Sequence, residues 1–238
     1  NFTTTQLASL TTTQLAGATS TQVGALTSTQ VNNLTTTELG GLSATQVKGL
    51  TTTAVAGLTT TALSGLTSDQ LGAITTTQLG SLTSTNLGAL TTTQLGGMTS
   101  TEIGVLTTTQ AAGLSSAQIT ALNATQAAGF KSTVLSGFTT TQLGGLSSTE
   151  VGALTTTALA GLSTTNLAAL TTTQLSGMTS TLLGALTTTQ VTNLTTTQLS
   201  NLTTTQLGGA TSTQLGALTS TQVNNLTTTE LGAFNATQ

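Results

Sequence analysis

Five carboxylates, Glu38, Asp69, Glu102, Glu150 and Glu230, and two amines, Lys48 and Lys131, are the only charged side chains in this 238-residue chain. General acid–base catalysis needs titratable groups held together, and a metal site needs clustered His, Cys or carboxylate ligands. Here each carboxylate stands alone in sequence, and His and Cys are absent. Without His and with only two Lys, no nucleophile–base pair is expected to assemble. The expectation is therefore not an enzyme, with catalytic residues none, cofactors none and metal none. A row of calcium sites would need about six to eight oxygens each. It would also need the Asp- and Gly-bearing nonapeptide of toxin-type repeats, which does not occur here. The carboxylates read instead as solvated or helix-capping groups, and the lysines as surface residues.

The same composition excludes other classes. Phosphate contacts need a basic surface and base stacking needs aromatics. The net charge is −3 and the only aromatic residues are Phe2, Phe130, Phe138 and Phe234, so nucleic acid is not an expected partner. No apolar run approaches the roughly 18 residues of a membrane span. The absence of Cys rules out a disulfide framework but does not reveal the redox compartment. Because Asn1 and Gln238 both fall inside a repeat, the chain reads as a window of a longer array.

That repeat is what must position every side chain. From Phe2 through Leu10, Ala18 and Leu26 to Phe234, every eighth residue is apolar, with no slip of register across 29 octads. The consensus is Leu-Thr-Thr-Thr-Gln-Leu-small-small. One continuous amphipathic helix cannot use it, because at about 100° per residue the apolar stripe would drift by about 80° each octad. Read as a helix start, however, each octad is consistent. Position 2 is Thr nearly everywhere and otherwise Ser43, Ser115, Ser147, Ser163, Asn123 or Asn235, all N-capping types, with Lys131 the exception. Position 5 is mostly Gln or Glu, completing a capping box, and the apolar positions 1 and 6 form a hydrophobic staple. Glu38, Glu102, Glu150 and Glu230 occupy position 5, in the first turn where the helix dipole favours negative charge, and Lys48 occupies position 7. Ala54, Ala62, Val134, Ala158 and Leu182 at position 5 forfeit the reciprocal half of the box and are expected to fray.

Successive octads also alternate. In the set beginning at Leu10, position 8 is Gly or Asn in 13 of 14 octads, Gly17, Asn33, Gly49 and Gly65 among them. Those types accept a left-handed helix end. In the set beginning at Phe2, position 8 is mostly Ala and position 3 is Ser in nine of fifteen octads. The alternation predicts a sixteen-residue unit with two unlike corners.

The expected fold class is a repeat solenoid of one-to-two-turn helices, two octapeptides (16 residues) per coil and about fifteen coils, continuous over 1–238. Positions 1 and 6 point inward and Thr hydroxyls outward. A single octad cannot fold alone, since burying two aliphatic side chains falls short of the cost of ordering eight backbones, so stacking must supply the difference. The competing architecture is a β-solenoid with Thr ladders, which must bend within each octad to bury both positions 1 and 6.

Asn-x-Thr triplets at Asn1, Asn33, Asn123, Asn193, Asn201, Asn225 and Asn235 match the N-glycosylation acceptor. Asn at position 8 followed by Leu and Thr also creates the triplet automatically. The Thr-x-Thr spacing at positions 2 and 4 is similar to the Thr arrays of hyperactive ice-binding solenoids, which would imply a flat hydroxyl and methyl ladder. Under the capping assignment the position-2 hydroxyl is already occupied.

The Leu10-Thr11-Thr12-Thr13-Gln14 signature is similar to the helix-opening motif of a periplasmic chaperone family, whose helices are long where these are short. As an uninterrupted tract, LTTxQ(L/V)xx resembles the low-complexity octapeptide-repeat regions of large bacterial surface and extracellular fibre proteins. That resemblance covers the whole chain and implies an extracellular or cell-surface location, with no functional residues carried across. The expected function is a non-enzymatic structural protein, an extracellular filament subunit or the stalk or spacer of a surface adhesin. Its partners would be copies of itself in a filament or lateral bundle, and a surface or glycan. The alternative is an ice-binding or other surface-binding Thr array.

Overall fold

The computed structural model describes residues 3–238; Asn1 and Phe2, one a glycosylation triplet and the other an expected core phenylalanine, lie outside the described residues. Among these residues the chain forms twenty-nine helices, α1 (Thr4–Ala8) to α29 (Thr228–Leu231), one per octad, and no strand. The architecture is the repeat solenoid of short helical turns, and the β-solenoid is not supported.

Local chemistry accounts for each helix. In α12 (Thr92–Gly96), Thr91 is extended at φ −71° and ψ 159°, and its hydroxyl accepts from the Gln94 N–H at 3.2 Å. The Gln94 side-chain oxygen accepts in return from the Thr91 N–H at 2.9 Å, completing the box. Two tight bonds close the helix, from Gly97 N–H to the Gln94 carbonyl and from Met98 N–H to the Leu95 carbonyl. Where position 5 is Ala, Val or Leu the reciprocal bond is missing, yet α7 (Thr52–Ala56), α8 (Thr60–Ser64), α17 (Ser132–Ser136), α20 (Thr156–Ala160) and α23 (Ser180–Gly184) are each five residues long. Lys131, at the start of α17, makes no side-chain cap bond.

Two expectations are corrected here. The helix ends are not left-handed: among the described residues no φ is positive, and Gly17, Gly49 and Asn33 close their helices at φ −77°, −70° and −88°. The coil is also not sixteen residues. The chain divides into two compact units, one ending at Leu122 and the other Asn123–Gln238. In the first, α3 (Ser20–Gly24) packs on α6 (Ala44–Lys48), α6 on α9 (Ser68–Leu71) and α9 on α12. In the second, α16 (Ala124–Ala127) packs on α19 (Ser148–Ala153), and α19 on α22 (Thr172–Leu175). Each helix thus meets the third one along, so a coil holds three octads, and fifteen helices in the first unit make five coils rather than half of fifteen. The alternation of octads reflects which residues meet between stacked coils, where contact is closest, and not two sides of one coil.

Positions 1 and 6 are buried in both units, as in Leu90, Leu95, Leu170 and Leu175, and Thr at positions 2 to 4 faces outward. Phe130 and Phe138 fill position 1 of consecutive octads and meet edge to face, with ring centres 5.2 Å apart. Phe234 is half-buried.

Candidate functional site

Sequence reasoning assigned position 5 to the cap alone. The structure gives it a second task. The Gln94 side chain is 4% exposed, and while its Oε1 serves the Thr91 cap its Nε2 donates to the carbonyls of Leu63 at 2.8 Å and Leu66 at 2.7 Å in the preceding coil. Those carbonyls belong to the corner between two helices, where the Leu63 carbonyl also accepts from the Leu66 N–H at 3.1 Å and the Leu66 carbonyl precedes the cap of α9. One planar amide therefore caps the start of its own helix and the end of a helix one coil back.

The arrangement recurs along both units. Gln46 reaches Leu15 and Ala18, Gln70 reaches Leu39 and Leu42, Gln174 reaches Leu143 and Leu146, and Gln206 reaches Leu175 and Met178. Shorter by one methylene, Asn86 and Asn166 hold only the nearer carbonyl, of Leu58 and Phe138. The result is a seam of buried amides, every one donating toward the N-terminal side. Buried polar groups of this kind stabilise only when each is satisfied, and both ends of the Gln46, Gln70, Gln94, Gln174 and Gln206 amides are.

A second element of the stack is close backbone approach. A Cβ on Gly49 would lie 2.6 Å from the Ser20 carbonyl oxygen, and one on Gly57 would lie 2.5 Å from the Ser28 Cβ. The same pairing joins Gly113 to Ser84, Gly161 to Ser132 and Gly209 to Ser180. At these corners position 8 is glycine because the chain one coil away leaves no room for a methyl group, and the residue it meets at position 3 is Ser, or Thr36 opposite Gly65. The signal was present as a Ser and a Gly 29 residues apart.

Asn32 was not singled out from sequence. It sits at position 7 of α4 (Ser28–Asn32), and its Oδ1 accepts from the Thr59 N–H at 3.0 Å while its Nδ2 donates to the Gly57 carbonyl at 2.8 Å. Thr59 is the cap of the Ala62 octad, which lacks its own reciprocal partner, so Asn32 supplies the missing acceptor from the coil before. Asn32→Ala is expected to lower stability by about 1 kcal/mol, measured as a fall in urea midpoint. Ala62→Gln in the same chain should recover much of it.

The charged residues are not gathered. Glu38, Glu102, Glu150 and Glu230 each accept from their own cap residue, and Asp69 is exposed. Among the described residues no three acidic side chains form a group that could hold a metal ion. Lys48 and Glu102 line one open groove. The triplet residues Asn33, Asn193, Asn201 and Asn225 donate from Nδ2 to a carbonyl of their own helix, and Asn123 and Asn235 accept at caps. Among the described residues no helix is long and apolar enough to cross a membrane. No family model matches the chain and no curated protein matches it.

Proposed function

We propose that this chain is a non-enzymatic structural protein, a filament subunit or the stalk or spacer of a surface adhesin, working outside the cell. The observation that carries the reading is the one-way seam. In the first coil, Gln6, Gln14 and Gln22 are exposed and their caps are complete, but none of their Nε2 groups reaches another coil. In the last coil of the second unit, Val223 and Leu231 are 39% and 42% exposed, although position 6 is buried in most octads. One face offers donors, and the other offers uncovered apolar side chains and corner carbonyls. A further coil of the same repeat is the occupant both faces suit, whether it comes from the same array or another copy. The hydroxyl-rich, nearly uncharged surface opposes lateral bundling only weakly. The resemblance to octapeptide tracts of bacterial surface proteins supports the same role, in which a stalk would carry the adhesin's tip to a surface or glycan.

An ice-binding Thr array has less support, because the position-2 hydroxyls serve caps and the Thr rows lie on helices. Sedimentation and negative-stain imaging of the 238-residue chain at rising concentration test the proposal. Elongated particles that lengthen with concentration are expected. Particles of constant length would remove the filament and leave the spacer, while thermal hysteresis in its solutions would put ice binding first.

A further inference from the structure

Position 5 of α13 (Ser100–Val105) is Glu102, which is 4% exposed. Its Oε2 accepts from the Thr99 N–H at 2.6 Å and from the Thr99 hydroxyl at 2.8 Å, as a glutamine oxygen does in the box. Its Oε1 is buried with no hydrogen-bond partner. One octad earlier Gln94 donates to Leu63 and Leu66, and one octad later Gln110 donates to the carbonyls of Leu79 and Leu82 at 3.0 and 2.8 Å. By the same register the carbonyls opposite Glu102 are those of Leu71 and Ile74. An ionised carboxylate offers them an acceptor where the seam requires a donor, and an unpaired buried charge is costly.

We propose that Glu102 is a proton-operated link in the seam. With a proton taken from solvent onto Oε1, it donates an O–H to the Leu71 or Ile74 carbonyl and closes the corner that a glutamine amide closes elsewhere. When the proton leaves, the link opens and α13 loses its hold on the coil before. Burial pushes the Glu102 carboxyl above the usual carboxylate range, against the lowering effect of its two bonds from Thr99. Within the first unit α13 packs on α10 (Thr76–Gly80), which carries no titratable residue, and neither α12 nor α14 (Thr108–Ala111) carries one; α9, which ends at Leu71, carries Asp69, whose side chain is exposed. Lys48 is the one other charged residue lining the shared groove, a space of about 480 Å³ whose wall includes Ile74 and Thr75.

The direction of the pH effect follows from the neutral form being favoured in the folded chain. The folded state binds the proton more tightly than the unfolded one. Stability therefore grows as pH falls through the raised folded value and levels off below the ordinary glutamate value of about 4.3. Glu102→Gln installs the residue found at most other octads and makes the link permanent. In the full chain at about pH 7, α13 amides of the variant are expected to exchange roughly tenfold more slowly than wild type, the size of one recovered buried hydrogen bond. The two thermal midpoints should converge as the pH is lowered. A carbon-13 carboxyl titration of the wild type, with Glu102 assigned by its loss in the variant, should show it protonating at higher pH than free glutamate. Protonation at or below the free value, or equal α13 exchange in the two chains at neutral pH, overturns the proposal.

Discussion

Gln94→Ala is expected to lower the stability of the first unit by about 2–4 kcal/mol, because it strands the Thr91 N–H and the Leu66 carbonyl and takes from the Leu63 carbonyl the second of its two donors. Gln14→Ala removes the same half-box from an exposed helix whose amide reaches no other coil. Its expected cost is about 0.5–1 kcal/mol, the range for a lost cap bond. The difference between the two variants measures the seam itself. Because stability in a solenoid is summed from units and neighbour contacts, the loss should be local. Hydrogen exchange should show weakened protection in α12 and around Leu63 to Leu66, with coils farther away little changed. Equal costs for the two substitutions would mean that the amide acts only as a cap.

Two adjacent glycines are expected to respond in opposite directions. A Cβ on Gly96 meets nothing within 4 Å, whereas one on Gly97 lands against the backbone carbonyl of Ser68. Gly96→Ala should stabilise by about 0.5–1 kcal/mol, since alanine loses less freedom in a helix. Gly97→Ala should destabilise by about 1–3 kcal/mol, as overpacking against an unyielding backbone does. Denaturant midpoints of the two single variants and their double check this, and the double should be close to additive if the two coils do not shift to make room. A neutral Gly97→Ala would show that the interface between coils can open without loss.

The helices were legible in the sequence because capping is a local code. Thr91 and Gln94 lie three residues apart, and their pairing needs no knowledge of what surrounds them. The number of helices per coil was not legible, because it depends on contacts between residues such as Gln94 and Leu63 that are far apart along the chain. Position 5 hid its second role for a related reason. Gln and Glu complete a capping box equally well, and only the amide's donors, which matter after coils stack, tell them apart. Gly49 was misread as a left-handed stop because the same residue type serves tight approach and unusual backbone, and the surroundings decide which. Burial of Glu102 was likewise invisible, since the octad pattern marks positions 1 and 6 as apolar and leaves position 5 polar.

Three octads per coil, combined with two alternating octad types, has a consequence for how such an array can change length. Three is odd, so an octad of one type has the other type before and after it in the chain and also above and below it in its stack. Laid flat, the surface of each unit is a chequerboard. Inserting or deleting a single octad would bring like squares together across the break, matching Ala against Ser in place of Gly at up to three neighbouring contacts, and then restore the pattern beyond it. Losing or gaining an even number leaves no such fault line. Ala18–Gly40 returns as Ala210–Gly232 with one substitution, and Leu82–Gln110 closely matches Leu162–Gln190. Those copies are displaced by 192 and 80 residues, each an even number of octads. Sixteen residues is not the coil, but it is the smallest step by which this molecule can lengthen without a flaw.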